Sequence, residues 1–194
     1  KQIAKTKGIN LPPLVAIAGP VKASECASAK PTATVFACRD YELAKRYAKT
    51  VTTPNYSVTP SQDEIGVEVC AALKNIYAIA LGIADGMSEA DKQPRDNLRA
   101  AIFVQAVTEM ASLCHAMGGD LQTAYGLAGM GDLQLTSTAG RSRLYGHAVG
   151  TGQNPRQALE QMQSQGLTIE GSPAALIAHQ LVQQLGLNAP LLEA

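Results

Sequence analysis

Neither sign of charge is in excess in these 194 residues: Lys and Arg number 16, and so do Asp and Glu. Nucleic-acid binders hold phosphates with a basic surplus, so no nucleic-acid partner is expected, and any anion bound must be small and met by a local cluster. Long hydrophobic runs are missing too. The longest, Ile76 to Ala84, is about half of what a membrane-spanning helix needs and carries Tyr77 and Gly82, so it reads as a buried helix and no membrane span is expected. Cysteine is sparse: Cys26, Cys38, Cys70 and Cys114 lie far apart in sequence among apolar neighbours, with no CxxC pair. That pattern excludes a disulfide framework and fits core thiols in a reducing, cytoplasmic setting. His115, His147 and His179 share no metal-like spacing, so no metal site is expected. No secretory signal is expected, since the chain opens Lys-Gln-Ile-Ala-Lys-Thr-Lys-Gly, which reads as the tail of a helix and a start in mid-fold. No GxGxxG is present either. Gly129 and Gly131 have its first spacing, but Gln134 stands at the third position and no strand precedes them.

What is present divides in two. The hydrophobic content of 46% suffices for one large domain or two modest ones. Residues 1–60 alternate: a short basic helix ending near Gly8, a strand over Leu14–Ala18 closed by Gly19-Pro20, a strand over Thr34–Cys38, a helix over Tyr41–Lys49, and a last strand at Tyr56–Val58. Residues 61–194 read as helix throughout. Ser61 and Glu64 form a capping box opening an all-round apolar helix to about Gly86. A second helix spans Pro94 to Met117 and stops at Gly118-Gly119; Asn154-Pro155 and Ser172-Pro173 each place a capping residue before a proline, and their helices stop at Gly166 and Gly186. The fold class is therefore α+β, the closing portion of an α/β sheet followed by an all-α domain.

Two constellations carry chemistry. Lys74 lies in the middle of the most hydrophobic helix, with polar Asn75 beside it. An ammonium there is costly to bury without partners, so it is either a functional cation or a structural one, snorkelling or paired with a carboxylate. The second is Gly126-Leu-Ala-Gly-Met-Gly-Asp132-Leu-Gln-Leu-Thr136, followed by Gly140-Arg141-Ser142-Arg143. Glycines beside an aspartate allow close approach, and an arginine opening a short helix suits a phosphate, met by oriented N–H groups and a bidentate fork. Alone, the same stretch also reads as a glycine-rich connector with solvated arginines.

Together these segments resemble the NAD(P)-dependent glycerol-3-phosphate dehydrogenases. Gly66 to Asn75 reproduces that family's Gly-Val-Glu-x-x-x-Ala-Leu-Lys-Asn helix, Gly126 to Leu133 its Gly-Leu-Ala-Gly-x-Gly-Asp-Leu segment, and Thr136 and Arg141 the residues that follow. Gly19-Pro20, Lys30-Pro31-Thr32 and Ile169-Glu170-Gly171 extend the likeness to essentially the whole chain. The resemblance implies a Rossmann-type sheet whose N-terminal half is absent, followed by a helical substrate domain like the C-terminal domain of 6-phosphogluconate dehydrogenase. It implies NAD or NADP as cofactor, and interconversion of dihydroxyacetone phosphate and sn-glycerol 3-phosphate feeding phospholipid synthesis in a cytoplasmic homodimer. Lys74 is then the general acid and base; Lys74, Asn75, Asp132, Thr136, Gly140, Arg141, Ser142 and Gly19 meet the small phosphorylated substrate; Ala23, Arg141 and Glu170 meet the cofactor. Lys74→Met is expected to keep the fold, because a buried charge is removed.

Departures from the pattern are local. The family follows Gly-Pro with Ser or Asn and then Phe-Ala, where this chain has Val21-Lys22-Ala23, and its Arg-Asn pair is Arg141-Ser142 here. Thr6-Lys7-Gly8 mimics a further substrate lysine of the family, yet only ten residues separate Gly8 from Gly19, and Lys7 reads as a helix-end residue. Those departures leave room for a related Rossmann-plus-helical-domain reductase with another small substrate. A non-catalytic helical module is the other alternative.

Overall fold

The computed structural model describes residues 6–8 and 13–194. Of the expected N-terminal helix only its end falls within them: Thr6 is helical, and Lys7 and Gly8 turn, Gly8 at φ +64°. The rest of that helix lies outside the described residues.

A three-stranded sheet comes first, in the order β1 (Ala16–Ala18), β2 (Thr32–Ala37), β3 (Tyr56–Ser61). Strands β2 and β3 are parallel, Thr34 opposite Val58, which obliges a crossover between them. Helix α2 (Tyr41–Val51) supplies it, turning Leu43, Ala44 and Ala48 inward and capped by Asp40, whose carboxylate accepts from the Leu43 N–H at 3.2 Å. Strand β1 runs antiparallel to β2, with Ile17 opposite Phe36. The sequence reading missed helix α1 (Ala23–Ala27), a five-residue turn with no buried residue and hence no apolar period to betray it.

Eight α-helices and one π-turn follow β3, and one of the helices, α3 (Glu64–Asp91), organises the rest. Its cap is not the expected Ser61, which ends β3, but Asp63, whose carboxylate accepts from the Gly66 N–H at 2.8 Å; the Ser61 hydroxyl instead accepts from the Asp63 N–H at 3.1 Å. Nor does the helix stop at Gly86. It continues to Asp91 and closes at Lys92, at φ +55°. Around it pack α4 (Asp96–Ala116), α6 (Asp132–Ala139), α7 (Arg141–Gly150) and α9 (Gly171–Leu185). By length and composition α3 could cross a membrane, but half of its most apolar window is buried inside the protein, as expected of a core helix. The core there joins Leu73, Tyr77 and Leu81 to Met110, Leu113, Leu133 and Val182. A smaller cluster of Ala18, Ala37, Val67 and Ala128 ties the sheet to the helices. Two sequence-distant thiols also meet: a hydrogen bond to Cys114, with burial second, pushes the Cys70 thiol up, and all four cysteines are free.

Gly86 has a different task from ending a helix. Helices α3 and α7 run alongside one another in the same direction in backbone contact. A Cβ on Gly82 would strike the Arg143 carbonyl, and on Gly86 the His147 carbonyl; on α7, a Cβ on Gly146 would strike the Ile79 carbonyl and on Gly150 that of Ile83. Each helix thus spends a Gly-x-x-x-Gly pair on one line of contact, the spacing that lets helix backbones approach.

Short pieces complete the chain: α5 (Leu121–Tyr125), a single π-turn over Leu127–Gly131, α8 (Pro155–Ser164) and α10 (Pro190–Glu193). Asn154 caps α8 as expected, its side chain accepting from the N–H groups of Arg156 and Gln157, with Pro155 in the first turn. Helix α9 starts one residue before the expected Ser172, at Gly171, and ends at Gly186 as expected, φ +63°.

Candidate functional site

Lys74 is neither snorkelling nor alone. Its ammonium donates to Asp132 Oδ2 at 2.6 Å, a short charge-assisted contact across 58 residues of sequence. The same oxygen accepts the Gly19 N–H at 3.1 Å, and Thr136 Oγ1 lies 3.5 Å from Oδ1. Asp132 sits in the first turn of α6, immediately after the π-turn, and Thr136 one turn on, so the two face the same way. The glycine-rich stretch is therefore a folded device that aims Asp132 at Lys74, rather than a slack connector. Gly129 makes it possible, since any Cβ there would collide with the Ala124 backbone.

Gly19 closes the cluster from the sheet side. It follows β1 directly, and an added Cβ would sit 2.8 Å from the Thr34 Cα, so no side chain fits between these strands. The Thr34 hydroxyl donates to the Ala18 carbonyl at 2.9 Å and holds the strand end in place. Lys74 keeps 22% of its side chain exposed against 5% for Asp132. Of its three N–H donors one serves Asp132, which leaves donors for an oxygen arriving from the open side.

Asn75, the next residue along α3, points about 100° away and serves a second group. Its amide donates to Glu170 Oε2 at 3.3 Å, and Arg141 Nη2 donates to Glu170 Oε1 at 3.3 Å. Glu170 lies just before α9, whose first residue, Gly171, is pressed so closely on the Asn75 carbonyl that a Cβ would collide with it. Arg141 opens α7 behind Gly140, where a Cβ would strike the Thr136 carbonyl. Ser142, next in the helix, is 3% exposed. This second group is open: Arg141 and Glu170 keep 49% and 59% of their side chains exposed.

The sequence-derived residues thus fall into one neighbourhood with a buried end (Lys74, Asp132, Thr136, Gly19) and an open end (Asn75, Glu170, Arg141 with Gly140 and Ser142). Ala23 stands apart, exposed at the first position of α1. The expectation for Lys74→Met needs correction: Asp132 is the more buried partner, so removing the lysine strands a carboxylate instead of relieving a lone cation. Sequence reading also missed how the residues are held. Asp85 accepts from Arg99 Nε at 3.0 Å and Arg143 Nε at 2.8 Å, and the only available signal was the paired Gly-x-x-x-Gly spacing that brings α3 and α7 together. Among the described residues no group of His, Cys, Asp and Glu has the arrangement to hold a metal ion.

A family model described as the NAD-dependent glycerol-3-phosphate dehydrogenase C-terminus matches residues 63–194. A glycerol-3-phosphate dehydrogenase [NAD(P)+] of Symbiobacterium thermophilum is 41% identical over 183 residues, which is 93% of this chain and 51% of the relative. One from Geobacter metallireducens is 39% identical over 193 residues, 96% of this chain and 55% of the relative. The crystal structure of glycerol-3-phosphate dehydrogenase from Coxiella burnetii superposes with a TM-score of 0.84 at 36% identity, covering 98% of this chain and 56% of that one. The chain spans about half the length of the curated relatives it matches.

Proposed function

The chain belongs to the NAD-dependent glycerol-3-phosphate dehydrogenase family, and on that premise we propose that it forms the substrate-binding and proton-transfer half of an enzyme interconverting dihydroxyacetone phosphate and sn-glycerol 3-phosphate. The observation that carries this reading is the Lys74–Asp132 pair: a part-buried ammonium held at 2.6 Å by a carboxylate, with donors to spare, one residue from a group containing an exposed arginine.

The residues fit a dinucleotide at one end only. The described residues contain no glycine-rich strand-turn-helix loop for its diphosphate, whereas Arg141 and Glu170 offer exposed polar groups at the mouth of the site, and Ala23 lies on the exposed first turn after Gly19-Pro20. These would meet the nicotinamide end. When bound, the nicotinamide supplies or accepts the hydride.

Reduction of a ketone leaves negative charge on its oxygen. Lys74 Nζ stabilises that charge and gives up a proton to it, and takes a proton back in the oxidation direction. Asp132 fixes the ammonium in place, and the Gly19 N–H and Thr136 hydroxyl fix Asp132, so little reorganisation accompanies the reaction. Arg141, on the first turn of α7, holds the substrate phosphate with its guanidinium, supported by the free N–H groups of the helix start. Asn75 orients the substrate between the two. A cytoplasmic homodimer supplying glycerol 3-phosphate for phospholipid synthesis completes the proposal; the free thiols fit a reducing compartment.

The test is turnover by full-length enzyme containing these residues, with dihydroxyacetone phosphate and with unphosphorylated dihydroxyacetone, following nicotinamide absorbance. Oxidation of the reduced cofactor by the phosphorylated ketone, at a much higher kcat/KM, is expected. Equal use of both, or of neither, overturns the reading.

A further inference from the structure

One carboxylate outside the site holds the two sides of the α6–α7 junction, where the phosphate-binding arginine is carried. Asp85 lies on α3, three turns and roughly 16 Å beyond Lys74 on the same helix. Its Oδ1 accepts from Arg99 Nε at 3.0 Å and its Oδ2 from Arg143 Nε at 2.8 Å. Arg99, on α4, reaches further: its Nη2 donates to the Ser137 carbonyl at 3.2 Å and the Ser137 hydroxyl at 3.3 Å. Ser137 is on α6 and fully buried, Arg143 is in the first turn of α7, and Gly140-Arg141-Ser142 lies between them. Both flanks of the arginine's turn are therefore tied, directly or through Arg99, to a single residue of α3.

All three partners of this network are mostly buried, with 18% of Asp85, 28% of Arg99 and 26% of Arg143 exposed. Two guanidinium groups share one carboxylate, so the arrangement is not a simple neutral pair, and losing the carboxylate would set two like charges against each other. The glycine contacts between α3 and α7 bring the backbones together, but a smooth glycine line resists sliding along the helix axis poorly. A charged bridge at one point along it fixes the register.

We propose that Asp85 is a positioning residue for substrate phosphate: through Arg143 and the Arg99–Ser137 link it sets where Arg141 stands relative to Lys74. This rests on the reading of Arg141 as the phosphate ligand. Both functional groups are then measured off one rod, α3, Lys74 directly and Arg141 by way of Asp85. Misplacing a binding group by an ångström costs up to about a hundredfold even when the chemical group itself is intact.

The test uses full-length enzyme carrying Asp85→Asn, Asp85→Glu and, in parallel, Arg141→Ala. Asp85→Asn is expected to raise KM for dihydroxyacetone phosphate by up to about a hundredfold, the cost of a binding group displaced by about an ångström. Kcat should fall much less, its pH profile should be unchanged, and the preference for the phosphorylated over the unphosphorylated ketone should shrink. Asp85→Glu should recover part of that preference. A folded Asp85→Asn enzyme with lowered Tm but unaltered preference overturns the proposal, as does an equal loss on both ketones. Should Asp85→Asn fail to fold, Arg143→Lys, which keeps a cation facing Asp85, is read by the same ratio: a reduced preference supports the proposal and an unchanged one overturns it. Arg141→Ala separates the two levels. If it loses phosphate preference while the Asp85 variants do not, the positioning role alone fails; if it loses none, the reading beneath it fails.

Discussion

The two ends of the site use opposite physics. At the buried end Lys74 and Asp132 meet at 2.6 Å with the carboxylate 5% exposed, and a backbone N–H and a hydroxyl complete the coordination. At the open end Arg141 and Glu170 meet at 3.3 Å with about half of each side chain in water. Buried charges are held by full hydrogen bonding and are costly to disturb, whereas exposed pairs contribute little and exchange partners readily. A group that must hold a proton at one atom belongs at the first kind of end. A group that must release its partner when an anion arrives belongs at the second.

The sharpest way to break that contrast is at Lys74. Lys74→Met in full-length enzyme should lower kcat by about 10²–10⁴-fold, the usual cost of a lost acid or base. It should also destabilise the protein, by about 3 kcal/mol, because Asp132 stays buried without its cation. Adding Asp132→Asn should restore much of the stability and none of the activity, since the amide oxygen still accepts from Gly19. Measuring Tm and kcat on both variants checks this. A single variant with unchanged Tm would show that the buried end is no more coupled than the open one, and a folded variant keeping more than about a tenth of kcat would remove Lys74 from the chemistry.

Arg141→Ala comes next. Loss of one charge-assisted contact to phosphate, about 1.5–3 kcal/mol, corresponds to roughly a ten- to hundredfold fall in kcat/KM on dihydroxyacetone phosphate. Tm should move little, because the pair with Glu170 is exposed. Lys in its place should rescue only in part, for want of the planar fork. Steady-state kinetics on both ketones, with a melting curve, test this. A large drop in Tm would mean that the open end is structural.

Gly171→Ala probes whether the open end is loose throughout. Its side chains are exposed, but its backbone is not slack: the new methyl would collide with the Asn75 carbonyl. Overpacking of this kind costs about 1–3 kcal/mol. The start of α9 should move away and Glu170 with it, so Tm should fall while kcat on saturating substrate changes less than in Lys74→Met. An unchanged Tm would mean that α9 yields freely and that the whole end, backbone included, is adaptable.

How much of this was legible in the sequence follows the same division. The strands stood out as short apolar runs closed by turn residues and the long helices as capped apolar stretches, and most of their ends were placed within a few residues. Lys74 stood out because a cation interrupts an apolar run, and Asp132 and Arg141 because glycines crowd around them. Helix α1 was invisible, having no buried face. Ser61 was taken for a cap when Asp63 does that work, since both types suit the position and only the strand's end decides between them. Gly86 read as a stop signal because spacing alone cannot separate a terminating glycine from one pressed on a neighbouring helix. Contacts between distant segments left no local trace: the Gly19 N–H to Asp132 spans 113 residues, and the Arg143 to Asp85 bond spans 58. Glu170 entered only through resemblance, because an exposed acid before a glycine has nothing in its surroundings to mark it.

The smallest expected effect is the most discriminating for Glu170. It faces Arg141 and Asn75 together, so it is either a partner that holds Arg141 until phosphate displaces it or a contact for the nicotinamide end of the cofactor. Removing its charge by Glu170→Gln should leave Tm nearly unchanged, since exposed pairs are worth about 0–1 kcal/mol. If Glu170 competes with phosphate for Arg141, the variant should bind dihydroxyacetone phosphate more tightly, with KM lowered about two- to fivefold at low ionic strength, an effect of at most about 1 kcal/mol. Added salt should erase that gain, because a competition between exposed charges is screened over a Debye length of about 8–10 Å. The cofactor role predicts a different pattern: KM for the dinucleotide rises, KM for the ketone stays put, and salt makes little difference. A KM for dihydroxyacetone phosphate that rises in Glu170→Gln would break the contrast between the ends, because it would mean that the glutamate holds Arg141 in its binding position, as Asp132 holds Lys74, instead of standing in for the substrate.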